Sequence, residues 1–222
     1  MPADAKRGPR ATPTGQPPAG QARTRLARAA VLAAGRELFL ERGYAGTTVE
    51  AISEASDVPV ATVYRLFSSK RGILKALLDT SIAGDDESVP LEARDHVRAL
   101  FADPDPRQRL PGFAAITRGI MGRTEAIHRI LVSAAASDPD AAGVLAEQTR
   151  HRQRGQSQIA RSLASSGDLR AGLPEREAAE IIHALMSPEV YRLLVVDQDW
   201  PPARYERWLG ATLVDQLLPR TP

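Results

Sequence analysis

The sequence contains no cysteine, which excludes disulfide bonds, thiol redox sensing and cysteine-ligated zinc. Aromatic residues make up only 5% of the 222 residues, but the hydrophobic content of 43% is sufficient for a packed core. No apolar run reaches the length of a membrane span, and the first residues lack the apolar region of a secretory signal. We therefore expect a soluble cytoplasmic protein that does not contact the membrane.

Catalytic and metal-binding motifs are also missing. The four histidines are scattered and show no close ligand spacing; they are His96, His128, His151 and His183. The sequence has no nucleophile elbow, no phosphate-binding loop and no dinucleotide fingerprint. We predict that the protein is not an enzyme and that it binds no metal and no cofactor.

The most informative stretch that is present is residues 45–70, AGTTVEAISEASDVPVATVYRLFSSK. Thr47 and Glu50 have the spacing of a capping box, which predicts a helix that begins near Thr48. The segment 57–59, Asp-Val-Pro, ends that helix, because proline disfavours helical geometry in the residue before it.

A second short helix follows, with an inward face formed by Val60, Val63 and Phe67. Two helices joined by so few residues cross steeply, as in a helix-turn-helix, whose second helix enters the major groove of DNA. The serines at 68 and 69 predict a cap for a further helix that begins near Lys70. Exposed backbone N–H groups in its first turn would suit a phosphate.

The segment before this motif is an amphipathic helix that runs to about Arg42 and ends at Gly43. The joined pattern closely resembles the amino-terminal domain of the TetR family of bacterial transcriptional regulators. The resemblance covers roughly residues 25–78 and rests on Glu37 to Thr48, Ala61 to Phe67, and the pair Ser69-Lys70. Gly35 is a mild departure inside the first helix and costs about 1 kcal/mol relative to alanine.

The resemblance implies a set of DNA-contacting positions, of which Tyr64 and Lys70 are typically phosphate contacts that carry no sequence information. The full predicted set is Thr47, Thr48, Val60, Ala61, Thr62, Tyr64, Arg65 and Lys70. Pro59, Val60 and Leu66 depart from the family pattern, since serine, a basic residue and histidine are frequent there. Base reading would then depend on Thr62, Arg65 and apolar contact with thymine methyl groups.

Charge is unevenly distributed along the chain. Residues 1–75 carry 12 Lys/Arg and 6 Asp/Glu, a net charge of +6, whereas residues 76–222 carry 17 and 21, a net charge of −4. A basic amino-terminal part favours attraction to DNA phosphates. We assign residues 1–22 to a disordered basic tail, which is either solvated or laid along DNA, and residues 23–70 to the helix-turn-helix domain. Residues 71–83 form a connecting helix, and 84–222 form the effector-binding and dimerisation domain.

The rest of the chain predicts only helices, so the fold class is all-α: an amino-terminal three-helix domain plus a larger helical domain. Proline and glycine mark most boundaries, and the predicted ranges are 91–102, 106–121, 124–136, 140–165, 175–186, 188–197 and 202–218. Arg150, Arg152 and Arg154 point around their helix rather than along one side, which favours a solvated face.

In the family this second domain dimerises and binds a small effector. Apolar residues at helical spacing predict an effector pocket, with His128 as a polar group: Phe101, Phe113, Ile116, Ile120, Met121, Ile127, His128 and Leu131. The same residues would also fit an ordinary core. The last helices predict a four-helix dimer interface that includes Ile182, Leu185, Tyr191, Leu194, Trp208 and Leu213. The alternative for this set is a monomeric core.

The sequence therefore predicts a homodimeric, ligand-responsive repressor that binds a palindromic double-stranded DNA operator and is released by a small hydrophobic effector. Two alternatives remain open at this point. One is a constitutive DNA-binding protein with a filled, ligand-free core, and the other is a helical interaction module whose DNA reading has decayed.

Overall fold

The computed structural model describes residues 19–84 and 94–220, and every regular element in these two ranges is a helix. The first four are α1 (Ala19–Arg42), α2 (Val49–Ser56), α3 (Val60–Phe67) and α4 (Lys70–Ala83). The others are α5 (Asp95–Ala102), α6 (Pro106–Ala135), α7 (Pro139–Ser166), α8 (Glu175–Leu185), α9 (Pro188–Tyr191) and α10 (Pro202–Leu217). The all-α fold is confirmed.

Helix α1 begins earlier than predicted. Residues 19–22 were assigned to the tail but form its first turn, because alanine and glutamine are good helix formers and the nearest prolines stand at 17 and 18, before the helix. The other eighteen residues of the predicted tail lie outside the described residues, as do residues 85–93 near the start of the predicted effector-binding domain. In the described part of the chain, no helix is long and apolar enough to cross a membrane.

Two other predicted boundaries are wrong. The ranges 106–121 and 124–136 form the single helix α6, in which Gly119 and Gly122 are internal. The helix continues through them because apolar side chains on both sides of the glycines pack into a core. The range 188–197 divides into α9 and one π-helical turn, Arg192–Val196, in which the Asp197 N–H donates to the Arg192 carbonyl at 2.9 Å.

Buried side chains form two clusters. The first, here called the head core, joins α1 to α4 with the end of α6 and the start of α7. The second, the body core, joins the start of α6 and the end of α7 with α8, α9 and α10. Helices α6 and α7 each contribute to both clusters, and α4 extends from the head core along the side of the body.

Candidate nucleic-acid interface and cavity

Helix α3 has one buried and one exposed face. Pro59 precedes it, and the Pro59 carbonyl accepts from the N–H groups of Thr62 at 2.7 Å and Val63 at 3.1 Å. Val63 and Phe67 are buried, and Ala61, Tyr64 and Arg65 are exposed, with Tyr64 45% accessible. Thr62 and Val60 are half-buried at the edge between the two faces. The predicted DNA-contacting residues of α3 therefore share one surface, with Val60 at its margin.

Thr47 does not belong to that surface. Its side chain is fully buried, and its hydroxyl donates to the carbonyls of Leu38 at 3.1 Å and Gly43 at 2.8 Å. The cap of α2 is instead Thr48, whose hydroxyl accepts from the Ala51 N–H at 3.1 Å. The predicted capping box of Thr47 and Glu50 is therefore wrong: Thr47 closes the α1–α2 turn, and Ala51, which cannot complete a capping box, stands three residues after the cap Thr48. Thr48 is exposed beside α3.

Lys70 was predicted to face a phosphate, but its ammonium group is occupied within the chain. It donates to the carbonyls of Tyr44 at 2.7 Å and Thr47 at 2.8 Å, and it lies 4.2 Å from the centroid of the Tyr44 ring. Burial lowers the pKa of the Lys70 ammonium. Both carbonyls belong to the turn between α1 and α2, so Lys70 joins this turn to the start of α4.

The turn between α3 and α4 holds the two helices in a fixed relation. Ser68 adopts a left-handed conformation with φ 63°, and the Ser69 hydroxyl caps α4 by accepting from the Gly72 N–H at 3.1 Å. A Cβ atom on Gly72 would lie only 1.9 Å from the Phe67 carbonyl oxygen. Only glycine permits this close approach, so Gly72 positions α3 against α4.

A contact that the sequence did not indicate joins α1 to the end of α3. The Arg28 guanidinium lies 4.7 Å from the centroid of the Phe67 ring, which is a cation–π distance. Arg23 and Arg25 are exposed on the preceding turn of α1. No local pattern signals a contact between residues so far apart in sequence, and it places the basic start of α1 beside α3.

A cavity of about 630 Å³ lies in the body, bounded by α4, α5, α6, α7 and α9. Six of the eight predicted pocket residues line it: Phe101, Phe113, Ile116, Ile120, Met121 and His128. The other two, Ile127 and Leu131, are fully buried in the head core. They follow the cavity-lining Ile120 and Thr124 by seven residues each, on the same side of α6, but further along the helix where that side meets the head core. Periodicity alone does not show which partner a helix face meets at each point along its length.

Helix α7 supplies a polar wall that sequence reasoning missed. Arg152 was predicted to be solvated like Arg150 and Arg154, but it is half-buried and lines the cavity, whereas its two neighbours are exposed. One turn further, the Gln156 side chain is buried; its oxygen lies 2.7 Å from His183 Nδ1 and its nitrogen donates to the Met186 carbonyl at 3.4 Å.

Burial sets the electrostatics of this wall. It lowers the pKa of the His128 imidazole, against the opposing effect of Glu189, so the ring is neutral near pH 7. Burial also lowers the pKa of the Arg152 guanidinium, although this group stays charged because its ordinary pKa is so high. The cavity therefore has one permanent positive charge on a largely desolvated side chain.

Helix α4 forms another wall and thereby connects the cavity to α3. Leu78 and Ile82 line the cavity from α4. Two polar contacts tie the same helix to α7: Lys75 donates to Glu147 at 3.0 Å, and Gln148 donates to Asp79 at 3.0 Å. The start of α4 bears Lys70 and Gly72, so one continuous helix contacts both the cavity and the α3 turn.

The predicted interface residues separate into two groups. Ile182, Tyr191 and Leu213 are buried in the body core and are not available to a second subunit. Leu185, Leu194 and Trp208 are half-buried at the surface. Beside them the π-helical turn exposes two side chains that were not in the predicted set, Leu193 at 51% and Val196 at 40%. We correct the predicted set accordingly.

Residues 31–77 match the profile of the bacterial regulatory proteins of the tetR family. The chain is 31% identical over 165 residues to the HTH-type transcriptional regulator TcmR of Streptomyces glaucescens. The chain belongs to the TetR family of bacterial transcriptional regulators. The alignment covers 70% of this chain and 66% of TcmR, slightly less than two thirds of that protein.

Solved structures share the TetR fold over most of the chain. NalD, the secondary repressor of the MexAB-OprM multidrug efflux pump in Pseudomonas aeruginosa, is 20% identical with a TM-score of 0.68. That match covers 89% of this chain and 100% of NalD. SmeT in complex with triclosan is 17% identical with a TM-score of 0.67 and coverages of 87% and 92%. At these identities the likeness shows the fold.

Proposed function

We propose that this TetR-family protein is a ligand-responsive, sequence-specific DNA-binding repressor that acts in the cytoplasm as a homodimer. The observation that carries the proposal is the course of α4. This helix contacts the α3 turn at its start and forms a cavity wall towards its end. A ligand in the cavity would therefore contact the same helix, α4, that holds α3 in position for DNA.

The DNA-binding part rests on the exposed face of α3. Tyr64 and Arg65 provide a hydroxyl and a guanidinium for phosphates or base edges, and half-buried Thr62 adds a second hydroxyl. Ala61 and Val60 suit contact with thymine methyl groups. Thr48 flanks this face and caps α2. Lys70 and Thr47 support it from behind, since both bind carbonyls of the α1–α2 turn.

The dimer part rests on the apolar surface made by Leu185, Leu193, Leu194, Val196 and Trp208, here called the π-turn surface. Exposed leucine and valine next to half-buried aromatic surface are typical of an interface. A two-fold axis at this surface would present two α3 helices to one DNA face. Binding in successive major grooves requires them to be roughly 34–36 Å apart and requires a near-palindromic operator.

The ligand-responsive part rests on the cavity, whose volume lies in the range usual for small-molecule sites. A ligand that favours a shifted position of Leu78 and Ile82 would tilt α4, move the two α3 helices out of register and release the operator. It must bind that state more tightly, or the equilibrium does not move. The names of NalD, a repressor, and of the SmeT–triclosan complex support repression and a small apolar effector.

The test is selection of bound duplexes from a randomised DNA pool at near-physiological salt. We expect enrichment of a palindrome whose half-sites lie one helical turn apart. The selected duplex then serves as the probe in an effector screen, in which a true ligand raises the melting temperature with its concentration and releases the DNA. A folded dimer that enriches no sequence would favour the helical interaction module. Operator binding that no cavity ligand changes would favour the constitutive protein.

A further inference from the structure

Two buried nitrogen atoms on residues that line the cavity have no hydrogen-bond partner in the described part of the chain. Arg152 Nη1 on α7 and His128 Nε2 on α6 are both buried, and neither has a hydrogen-bond partner anywhere in residues 19–84 and 94–220. A buried donor without a partner costs roughly 1–3 kcal/mol, and more when it is charged. Arg152 Nη1 is always a donor, and His128 Nε2 is a donor when the ring carries its hydrogen on that atom, so one ligand oxygen in the cavity would satisfy both.

The surrounding groups do not serve as that acceptor. The Glu189 carboxylate lies 3.9 Å from His128 Nε2, which is too long for a hydrogen bond, and 66% of its side chain is exposed to solvent. The oxygen of the Gln156 amide is already paired with His183. Glu189 also attracts the Arg152 guanidinium, but Arg152 Nη1 has no hydrogen-bond partner among the described residues.

The other permanent cation on the wall is in a different situation. Lys75 donates to Glu147 at 3.0 Å and lies 3.9 Å from Asp79. These two carboxylates neutralise the Lys75 ammonium, which therefore does not require an anionic ligand. Only the Arg152 end of the described wall therefore offers a positive charge to a ligand. The opposite surface is hydrocarbon, contributed by Phe101, Phe113, Ile116, Ile120 and Met121.

We propose that the effector is an apolar molecule bearing one carboxylate, which Arg152 binds as an ion pair and His128 binds as a hydrogen-bond donor. The hydrocarbon body lies against Phe101, Phe113 and Ile120. The planar guanidinium matches a carboxylate, and the pair is strengthened because water is largely excluded. His128 donates in the tautomer that carries hydrogen on Nε2. This inference rests on the proposed function, because it specifies the ligand of the same cavity.

The experiment uses two matched probe pairs, anthracene-2-carboxylate with anthracene-2-methanol, and dodecanoate with 1-dodecanol. Affinities of the full-length protein are measured by calorimetry. We expect at least one acid to bind about ten-fold or more tightly than its alcohol, because only the acid satisfies a buried charged donor. Arg152→Met should weaken binding of that acid by roughly ten- to hundred-fold and leave its alcohol nearly unchanged. Arg154→Met, on the exposed side of α7, is the matched control and should change neither.

The outcomes separate this inference from the proposed function. Equal affinity for acid and alcohol in the unaltered protein would overturn the carboxylate and leave a ligand-responsive regulator. Absence of binding by both acids up to their solubility limits would overturn the inference directly. An acid that binds through Arg152 without releasing the selected operator would confirm the site and contradict the proposed response.

The difference in affinity between acid and alcohol is measured on the unaltered protein, so this part of the test does not depend on whether a variant folds. If Arg152→Met fails to fold, Arg152→Lys, which keeps the charge without the planar fork, should show a reduced acid preference.

Discussion

The ammonium group of Lys70 lies 2.8 Å from the carbonyl oxygen of Thr47, 23 residues earlier in the chain. Together with the bond to the Tyr44 carbonyl at 2.7 Å, this contact fixes the α1–α2 turn to the start of α4. A residue that the sequence places at the DNA surface is therefore also part of the framework that holds α3 in position.

Lys70→Met is expected to lower the free energy of unfolding by roughly 1–3 kcal/mol, because two carbonyls lose a charged donor. Urea denaturation followed by circular dichroism measures the change. The control is Arg71→Met, which removes the same charge one residue later. Its ion pair with Asp140 is exposed, so the loss should stay below about 1 kcal/mol. Equal loss in both variants would argue against the framework role.

Tyr64 and Arg65 should affect DNA binding in different ways. Tyr64→Phe removes one neutral hydroxyl and should weaken operator affinity by about 0.5–1.5 kcal/mol per subunit without changing the salt dependence. Arg65→Gln removes from each subunit one positive charge that would contact a DNA phosphate. It should reduce the slope of log affinity against log salt by about 2. Anisotropy titrations at several salt concentrations measure both, with Arg129→Gln, exposed on α6, as the control. A slope unaffected by Arg65→Gln would exclude a phosphate contact.

The π-turn surface predicts the oligomeric state. Leu193→Glu places a charge at an exposed apolar position and, by two-fold symmetry, does so twice. We expect the dimer dissociation constant to rise by roughly 30-fold, equivalent to about 2 kcal/mol. Sedimentation velocity measures it. Leu26→Glu alters a leucine that is 69% exposed on α1 and should leave the dimer intact. A Leu193→Glu dimer of unchanged affinity would place the interface elsewhere.

Two glycines within helices should respond in opposite directions to alanine. A Cβ atom on Gly35 would lie 3.0 Å from Cγ2 of the fully buried Ile73, whereas one on Gly143 would have no neighbour within 4 Å. Overpacking costs about 1–3 kcal/mol and the helix gain is about 1 kcal/mol, so Gly35→Ala should lower stability by about 1 kcal/mol. Gly143→Ala should raise it by about 0.5–1 kcal/mol. Thermal and urea unfolding test the pair, and a stabilising Gly35→Ala would show that α4 can move away.

His128 in the cavity wall and His183, which contacts Gln156, predict a pH dependence of stability. Burial lowers the pKa of His128 and of His183 below the ordinary value of 6.5. Near and below that value the unfolded chain therefore binds more protons than the folded protein, and stability falls as the pH falls, until the folded pKa values are reached. Urea titrations between pH 7.5 and pH 5 should show this decline. The slope of the unfolding free energy against pH should match the uptake of one or two extra protons by the unfolded chain. His128→Gln should make it shallower. His96→Gln, on the exposed side of α5, controls for the loss of one histidine.

Much of the fold was predictable because it is encoded locally. The spacing of Val63 and Phe67 defined the inward face of α3, and proline and glycine marked most of the helix ends. Six cavity residues were identified for the same reason, since five apolar residues and His128 recur at helical spacing on α5 and α6. Local signals failed where two of them competed. Both Thr47 and Thr48 satisfy a cap pattern, and the choice depended on the carbonyls of Leu38 and Gly43.

The sequence by itself determined the helices, the faces they bury, and the TetR-type helix-turn-helix, because these follow from propensities and periodicities within a few residues. Only the tertiary structure decided what each face meets. It placed Ile127 and Leu131 in the head core, turned Arg152 towards the cavity rather than the solvent, and gave the Lys70 ammonium two backbone carbonyls. The physical reason is that helical periodicity fixes the direction of a side chain about its own axis, whereas burial and pairing depend on how separate helices cross.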